Sequence, residues 1–390
     1  MTVIGGEVAA GFEPVREAFA ENFARHGDIG AAVCVYRYGH PVVDLWGGIA
    51  DPRSGRPWTR DTLQLVYSVT KGATATAVHW LAQRGELDLD EPVATYWPEF
   101  AVSGKADIPV RWLLSHQAGL VALDQPVPLN DALAWHPMAA ALAAQRPVWT
   151  PGAAHGYHGR TWGWLVGEVI RRVSGRTPGR FFADEIAAPL DLDFFIGLPA
   201  DERERVSHMV HSRPAVDLTT VAPELIPEEL RDQVAAWSDP DSLSNRAYMV
   251  TDPAAIDFNA PEVQAAELPA SNGIGTARGL ARMYAALIGE VDGIRLLTPE
   301  TLTLATKEQA AGMDQVLVAP SRFSSGYQLP TGDNPMSGSN AFGHNGRGGS
   351  LGFADPELGV AFGYAMNHVI SGPDDVRAVS LVDAVRRSLT

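Results

Sequence analysis

The stretch that most constrains this chain runs from residue 61 to 84: Asp61-Thr-Leu-Gln-Leu-Val-Tyr-Ser68-Val-Thr-Lys71-Gly-Ala-Thr-Ala-Thr-Ala-Val-His-Trp-Leu-Ala-Gln-Arg84. Its first half is an extended apolar approach. From about Gly72 it becomes an alanine-rich run of good helix propensity, which predicts that Ser68 stands in the first turn of a helix. Side chains three apart on a helix share a face, so Lys71 can reach the Ser68 hydroxyl, and the unpaired N–H groups of the first turn favour negative charge at the same place. Such a serine has a base beside it, provided that burial or a nearby cation lowers the lysine from its ordinary pKa of about 10.4. The chain has twenty serines but only three lysines, Lys71, Lys105 and Lys307. Chance therefore supplies roughly 0.15 Ser-x-x-Lys matches; the plain alternative is a helix start with a surface lysine.

With 390 residues, 46% of them apolar and 8% aromatic, the chain buries a large core, and two structural regions are expected. A net charge of −16 argues against nucleic acid and anionic membrane as partners. The single cysteine, Cys34, lies in an alternating apolar stretch and is expected to be buried; alone, it excludes an internal disulfide framework and any multi-cysteine metal site. The segment Met1-Thr-Val-Ile-Gly-Gly-Glu7 has neither a basic n-region nor an apolar h-region, so the expected location is cytoplasmic. No run approaches the ~18 consecutive apolar residues of a membrane span.

Phe12, Val15, Phe19 and Phe23 recur at spacings of three and four and predict a one-faced helix over 12–25. Residues 29–37 and 41–48 read as strands joined at Gly39-His40. From about 95 to 260 helices alternate with proline-rich loops. One helix ends at Gly119, with His116 a packing or capping residue, and the strongest runs from Arg160 to Ser174 with Gly175 as its stop. Before it, Pro151-Gly-Ala-Ala-His-Gly-Tyr157-His-Gly159 delivers a tyrosine to a helix entrance. Residues 201–266 read as an excursion that could cover a site. Residues 340–367 form two strands about a turn at 355–359, and a helix follows from about Pro373 with Val376, Val379, Val382 and Val385 on one face. Strands at both ends around a helical middle predict an α+β fold. Residues 1–95 and 267–390 make one discontinuous sheet domain, and 96–266 a mainly helical insertion.

Three patterns point elsewhere and are set aside. Gly348-Gly-Ser350-Leu-Gly352 matches a nucleophile elbow, but a strand rather than a helix follows it, and the order of acid and histidine fails. Ser271-Asn-Gly-Ile-Gly-Thr276 lacks the spacing of a dinucleotide fingerprint. His155-x-x-His158 and His208-x-x-His211 have a zinc-like spacing without further ligands to match, so no metal or other cofactor is expected.

Ser68-Val-Thr-Lys71, Leu113-Leu-Ser-His-Gln-Ala-Gly-Leu120, Pro151-Gly followed by Tyr157, and His344-Asn-Gly346 before a hairpin occur in the order seen in the serine β-lactamase and penicillin-binding-protein superfamily. Over nearly its whole length the chain resembles the class C β-lactamase branch, and within it the family VIII carboxylesterases. The resemblance implies a β-lactamase/transpeptidase-like fold, an antiparallel sheet flanked by helices. It implies Ser68 as the acylated nucleophile, Lys71 as its activating neighbour, and Tyr157 as a proton carrier, the first residue of a Tyr-x-Asn element. The backbone N–H groups of Ser68 and Arg347 would form the oxyanion hole. His344, Asn345 and Gly346 would occupy the Lys-Thr-Gly strand as substrate-binding residues, with His158 lining the site.

Two departures separate the chain from that pattern. The asparagine of Tyr-x-Asn is Gly159, and the lysine and threonine of Lys-Thr-Gly are His344 and Asn345. Both losses weaken recognition of a β-lactam while leaving an acyl-transfer core. The expected function is therefore a serine hydrolase of small carboxylic esters. A β-lactamase or D-amino-acid peptidase is the alternative within enzymes, and a catalytically silent ligand-sensing or assembly module is the alternative outside them.

Overall fold

Gly30–Arg37, Gly-Ala-Ala-Val-Cys-Val-Tyr-Arg, is an almost unbroken apolar run, as a strand covered on both faces must be. In the computed structural model, which describes residues 2–212, 221, 226–332, 334–370 and 375–389, it lies near the middle of a seven-stranded antiparallel sheet. The strands are β1 (Ile4–Val8), β2 (Gly30–Arg37), β3 (His40–Asp51), β4 (Arg56–Pro57), β5 (Phe342–Asn345), β6 (Leu351–Asp355) and β7 (Val360–Met366). Their order is β1-β3-β2-β7-β6-β5, with β4 beside β3. Val33 faces Tyr364 and Val35 faces Phe362 across the β2–β7 seam, so strands from the two ends of the chain close one sheet. The β2–β3 turn is Tyr38-Gly39, one residue earlier than expected. Both residues have positive φ, 47° and 81°, as a type I′ turn requires, and His40 already pairs with Arg37.

One face of the sheet is covered by α1 (Glu13–Arg25) and the C-terminal α5 (Arg377–Ser388), which bury Phe12, Val15 and Phe19 with Leu381, Val382 and Val385. The expected start of α5 at Pro373 lies outside the described residues. Val376 is exposed, and the buried face of α5 is Leu381, Val382, Ala384 and Val385. The other face carries α4 (Ala277–Ile288), with α2 (Thr70–Gln83) packed in the same core. A β-carbon at Gly352 would lie 2.8 Å from the Tyr284 ring and one at Gly363 3.0 Å from the Ala281 nitrogen, so glycine is what lets α4 lie flat on the sheet.

The helical middle is continuous with this core. α3 (Thr161–Ser174) buries Trp162, Leu165, Val166, Val169 and Ile170, and ends where Gly175 turns left-handed at φ 70°. The helix expected to end at Gly119 is Val110–Leu114; His116, at φ 63°, is the residue that turns the chain. Ile274–Gly275 pairs on one side with Gln64–Leu65, the approach to Ser68, and on the other with Phe194–Phe195. Of the 201–266 excursion, 213–220 and 222–225 lie outside the described residues. Among the described residues, no helix is long and apolar enough to cross a membrane.

Candidate active site

Ser68 stands in a single 3-10 turn, Tyr67–Val69, that runs directly into α2. Tyr67 holds φ at 48°, a strained value for a bulky residue, and the neighbouring chain imposes it. The Val66 N–H donates to Gly273 O (2.9 Å), and the Gly273 N–H donates to Thr70 Oγ1 (2.7 Å). A β-carbon on Gly273 would come within 2.6 Å of Thr70 Oγ1, so the glycine-rich loop serves to brace this turn. Ser350, the decoy serine, is buried in the sheet and donates its hydroxyl to Val66 O (3.0 Å). Ser68 itself is half-buried and open to a ligand.

Lys71 is fully buried. Its Nζ lies 3.3 Å from Ser68 Oγ, 2.9 Å from Gly159 O and 3.1 Å from Ala270 O. Burial pushes the amine well below the ordinary lysine value. The π faces of Tyr157 and Trp162, 4.8 and 5.9 Å away, favour the cation. These rings and the two carbonyls oppose the effect of burial, and desolvation outweighs them, so the amine is held well below its ordinary value and is primed to accept a proton. A neutral amine has two N–H groups and one lone pair. The two carbonyls take the former, which leaves the lone pair for the serine hydroxyl.

Tyr157 comes from a loop, and its position is set from below. Asp314, itself buried, accepts the N–H groups of Tyr157 (3.0 Å), Val316 (2.8 Å) and Leu317 (2.9 Å) on Oδ1, and the Ser321 hydroxyl (3.1 Å) on Oδ2. Burial pushes the Tyr157 phenol well above its usual value; Tyr248 adds to this, and a hydrogen bond with Ser68 opposes it. The phenol is thus protonated at neutral pH, with the Ser68 side chain as its neighbour.

His158 is a correction. Its Nε2 accepts the Leu120 N–H (3.0 Å), its Nδ1 donates to Gly156 O (2.7 Å), and its backbone N–H donates to His116 Nδ1 (3.0 Å). Both ring nitrogens are used inside the protein, so His158 has none to offer a substrate and belongs to the framework under Tyr157. His155 Nε2 lies 3.0 Å from Ser321 Oγ, in the same network. Neither zinc-like histidine pair lies on a helix, and among the described residues no three His, Cys, Asp or Glu side chains gather to hold a metal.

β5 ends beside the Ser68 turn. A β-carbon at Gly346 would run into Val66 O and Ser350 Oγ, so glycine permits the close approach. Arg347 follows, and among the described residues neither its N–H nor that of Ser68 donates to another backbone group. The loop is anchored from behind: Gly348 O accepts Arg377 Nη2 (2.8 Å), and the buried Arg377 pairs with Asp28 (2.9 Å) and Asp375 (2.7 Å). His344 is buried 6.0 Å from the Tyr157 ring, centroid to centroid. Its Nδ1 donates to Asn345 O (2.6 Å), its Nε2 has no partner among the described residues, and burial pushes its pKa down to about 3. Asn345 is exposed, its amide donating to Asn334 Oδ1 (3.2 Å).

Ser68, Lys71, Tyr157, His344 and Gly346 thus converge from three separate parts of the chain. The β-lactamase family model, described as "Beta-lactamase", matches residues 15–386. The chain belongs to that family. It is 39% identical to "Esterase/beta-lactamase LipL" of Mycobacterium tuberculosis over 372 residues, 92% of this chain and 82% of the relative. Among solved structures it is similar to a family VIII carboxylesterase, at 38% identity and a TM-score of 0.84 over 99% of this chain and 100% of that one. It is also similar to EstA from Arthrobacter nitroguajacolicus Rue61a, at 34% identity and a TM-score of 0.86 over 99% and 98%. The β-lactamase/transpeptidase-like α+β fold expected from the sequence is therefore the fold observed. Sequence reasoning missed Asp314, the two carbonyls on Lys71, and Tyr248, described below. Each acts across a long separation in the chain, and no local pattern marks it.

Proposed function

We propose that the chain hydrolyses small carboxylic esters through an acyl-enzyme at Ser68. Its relatives are carboxylesterases and β-lactamase-related serine hydrolases by name, and the chain is an enzyme of that kind. The observation that carries the reading is the fully buried amine of Lys71, 3.3 Å from the Ser68 hydroxyl, whose pKa burial pushes well below the ordinary lysine value.

Lys71 takes the Ser68 proton as Oγ attacks the ester carbonyl. The developing oxyanion is met by the N–H groups of Ser68 and Arg347. As the C–O bond to the alcohol breaks, the leaving oxygen takes a proton from the Tyr157 hydroxyl, which Lys71 replaces. Water then attacks the acyl-enzyme by the reverse relay and releases the acid. Because Tyr157 is held protonated, it serves as a donor and carrier, and Lys71 is the base.

The ester preference rests on charge. His344, where a lysine would meet a β-lactam carboxylate, is neutral above a pKa of about 3. The guanidinium of Arg347 is exposed and solvent-screened. A charged hydrogen bond is worth about 1.5–3 kcal/mol, or about ten- to a hundredfold, so losing it together with the asparagine amide decides between substrates. Intact-mass labelling by an activated phosphonate tests the acyl-enzyme step, and on unlabelled protein kcat/KM for a short-chain p-nitrophenyl ester should exceed that for a chromogenic cephalosporin by on the order of a hundredfold or more. Equal efficiencies would move the β-lactamase reading to first place.

A further inference from the structure

Gly159 stands where the related pattern has an asparagine. Its backbone is not left-handed and would accept a side chain. What excludes one is Tyr248: a β-carbon at Gly159 would lie 2.9 Å from the Tyr248 hydroxyl oxygen, 3.0 Å from Cζ and 3.2 Å from Cε1. Tyr248 comes from the 201–266 excursion, at the end of the short helix Leu243–Arg246. Ser242 caps that helix, and Ser244 ties it to Val316 O at 2.5 Å. Its ring packs in the apolar cluster that contains Tyr157 and Phe323, lies 5.5 Å from the Trp237 ring, and has the Arg160 guanidinium 5.9 Å away. Burial holds the phenol protonated, the nearby Arg160 and Arg347 notwithstanding.

We propose that Tyr248 occupies the volume of the missing asparagine side chain and is the residue that sets acyl-group preference, favouring esters with an aromatic or apolar acyl group over those with an amide-bearing one. The proposal rests on the esterase reading. An asparagine at 159 offers an amide that pairs with an amide on the substrate; the tyrosine offers an aromatic face and a single O–H. An aryl group gains from stacking or edge contact on such a face, whereas an amide there loses its partners. An acetyl group ends one carbon beyond the carbonyl and gains little from the ring. The same crowding explains why restoring asparagine at 159 alone is not a clean route to β-lactam recognition. The new side chain must displace either Tyr248 or the Gly159 carbonyl that holds Lys71.

The test compares the full-length protein with Tyr248→Ala, Tyr248→Phe, Gly159→Asn and the Gly159→Asn/Tyr248→Ala pair. Phosphonate labelling and p-nitrophenyl acetate turnover by the unaltered protein are read first; their absence overturns the esterase reading itself. The ratio of kcat/KM for p-nitrophenyl phenylacetate to that for p-nitrophenyl acetate should fall on the order of tenfold in Tyr248→Ala, chiefly through KM, and stay within about threefold in Tyr248→Phe. An unchanged ratio in Tyr248→Ala overturns the assignment. Should Tyr248→Ala not fold, Tyr248→Leu keeps apolar volume and should still lower the ratio by about threefold or more. Independently, Gly159→Asn should slow labelling of Ser68, and adding Tyr248→Ala should restore at least about tenfold of that loss. Failure of the pair to recover overturns the claim that the two side chains compete for one space.

Discussion

Ser68 and Lys71 sit three residues apart on one turn and its helix, whereas Tyr157 reaches them from a loop without regular structure. The first pair is brought together by the spacing of three residues across the turn and the start of α2. The tyrosine is oriented by Asp314, 157 residues away in sequence, and by His116 and His158 beneath it. One candidate site thus combines a part that follows from spacing along the chain with a part that exists only once distant segments have packed. Mutations should fall into two classes accordingly.

The largest effect belongs to the local half. Ser68→Ala should abolish both phosphonate labelling and ester turnover, while Ser350→Ala should leave Ser68 open to labelling, because the Ser350 hydroxyl is buried against Val66 O. A label carried by Ser350 would sink the assignment. Next, Lys71→Ala and Tyr157→Phe should each slow acylation by on the order of a hundredfold or more, read in stopped-flow bursts. Near-normal acylation and deacylation in Tyr157→Phe would remove the tyrosine from the mechanism and dissolve the contrast.

The distant half gives a smaller and more diagnostic effect. Asp314→Ala leaves three backbone N–H groups without their acceptor and should lower kcat by on the order of tenfold or more. Asp314→Asn keeps an oxygen for them and should recover most of that loss. Equal damage from both would mean that the charge of Asp314, not its hydrogen bonding, is what counts.

The last effect leaves the chemistry of the site aside: it is on stability and involves three buried histidines, His79, His158 and His344. Burial lowers His79 to about 4 and His158 and His344 to about 3. Their folded-state pKa values lie below the ordinary 6.5, so the unfolded chain binds protons first, and stability present above about pH 6.5 is lost as pH falls toward those values. At pH 5 the loss is about 2 kcal/mol for each histidine. Urea midpoints at pH 7.5 and 5.0 measure it; a midpoint that does not fall on acidification would contradict the buried neutral assignment.

Most of the frame was legible from residues alone. The apolar runs at 29–37 and 41–48, the stripe of Trp162, Leu165, Val166, Val169 and Ile170, and the Ser-x-x-Lys turn all encode structure within a few residues, and the structure has them there. The errors lie at boundaries. The β2–β3 turn shifted by one residue because two positive φ values, not glycine alone, define it. The helix near 113 stopped early because His116 takes a left-handed conformation that supports His158. His158 looked like a site residue because it adjoins Tyr157 in sequence, and only packing reveals that both its nitrogens are spent.

By itself the sequence determined the α+β class, the Ser68–Lys71 pair and the buried Cys34, since each depends on periodicity or on spacing within one or two turns. Tertiary structure alone decided that Lys71 is buried and its pKa lowered, because the segments that cover it come from as far away as Ala270. It decided that Asp314 holds Tyr157 and that the space beside Gly159 is filled by Tyr248, 89 residues on. Spacing along the chain dictates which side chains share a helical face. Which chain segments exclude water from a group, and which side chains compete for one volume, is set only when the chain closes on itself.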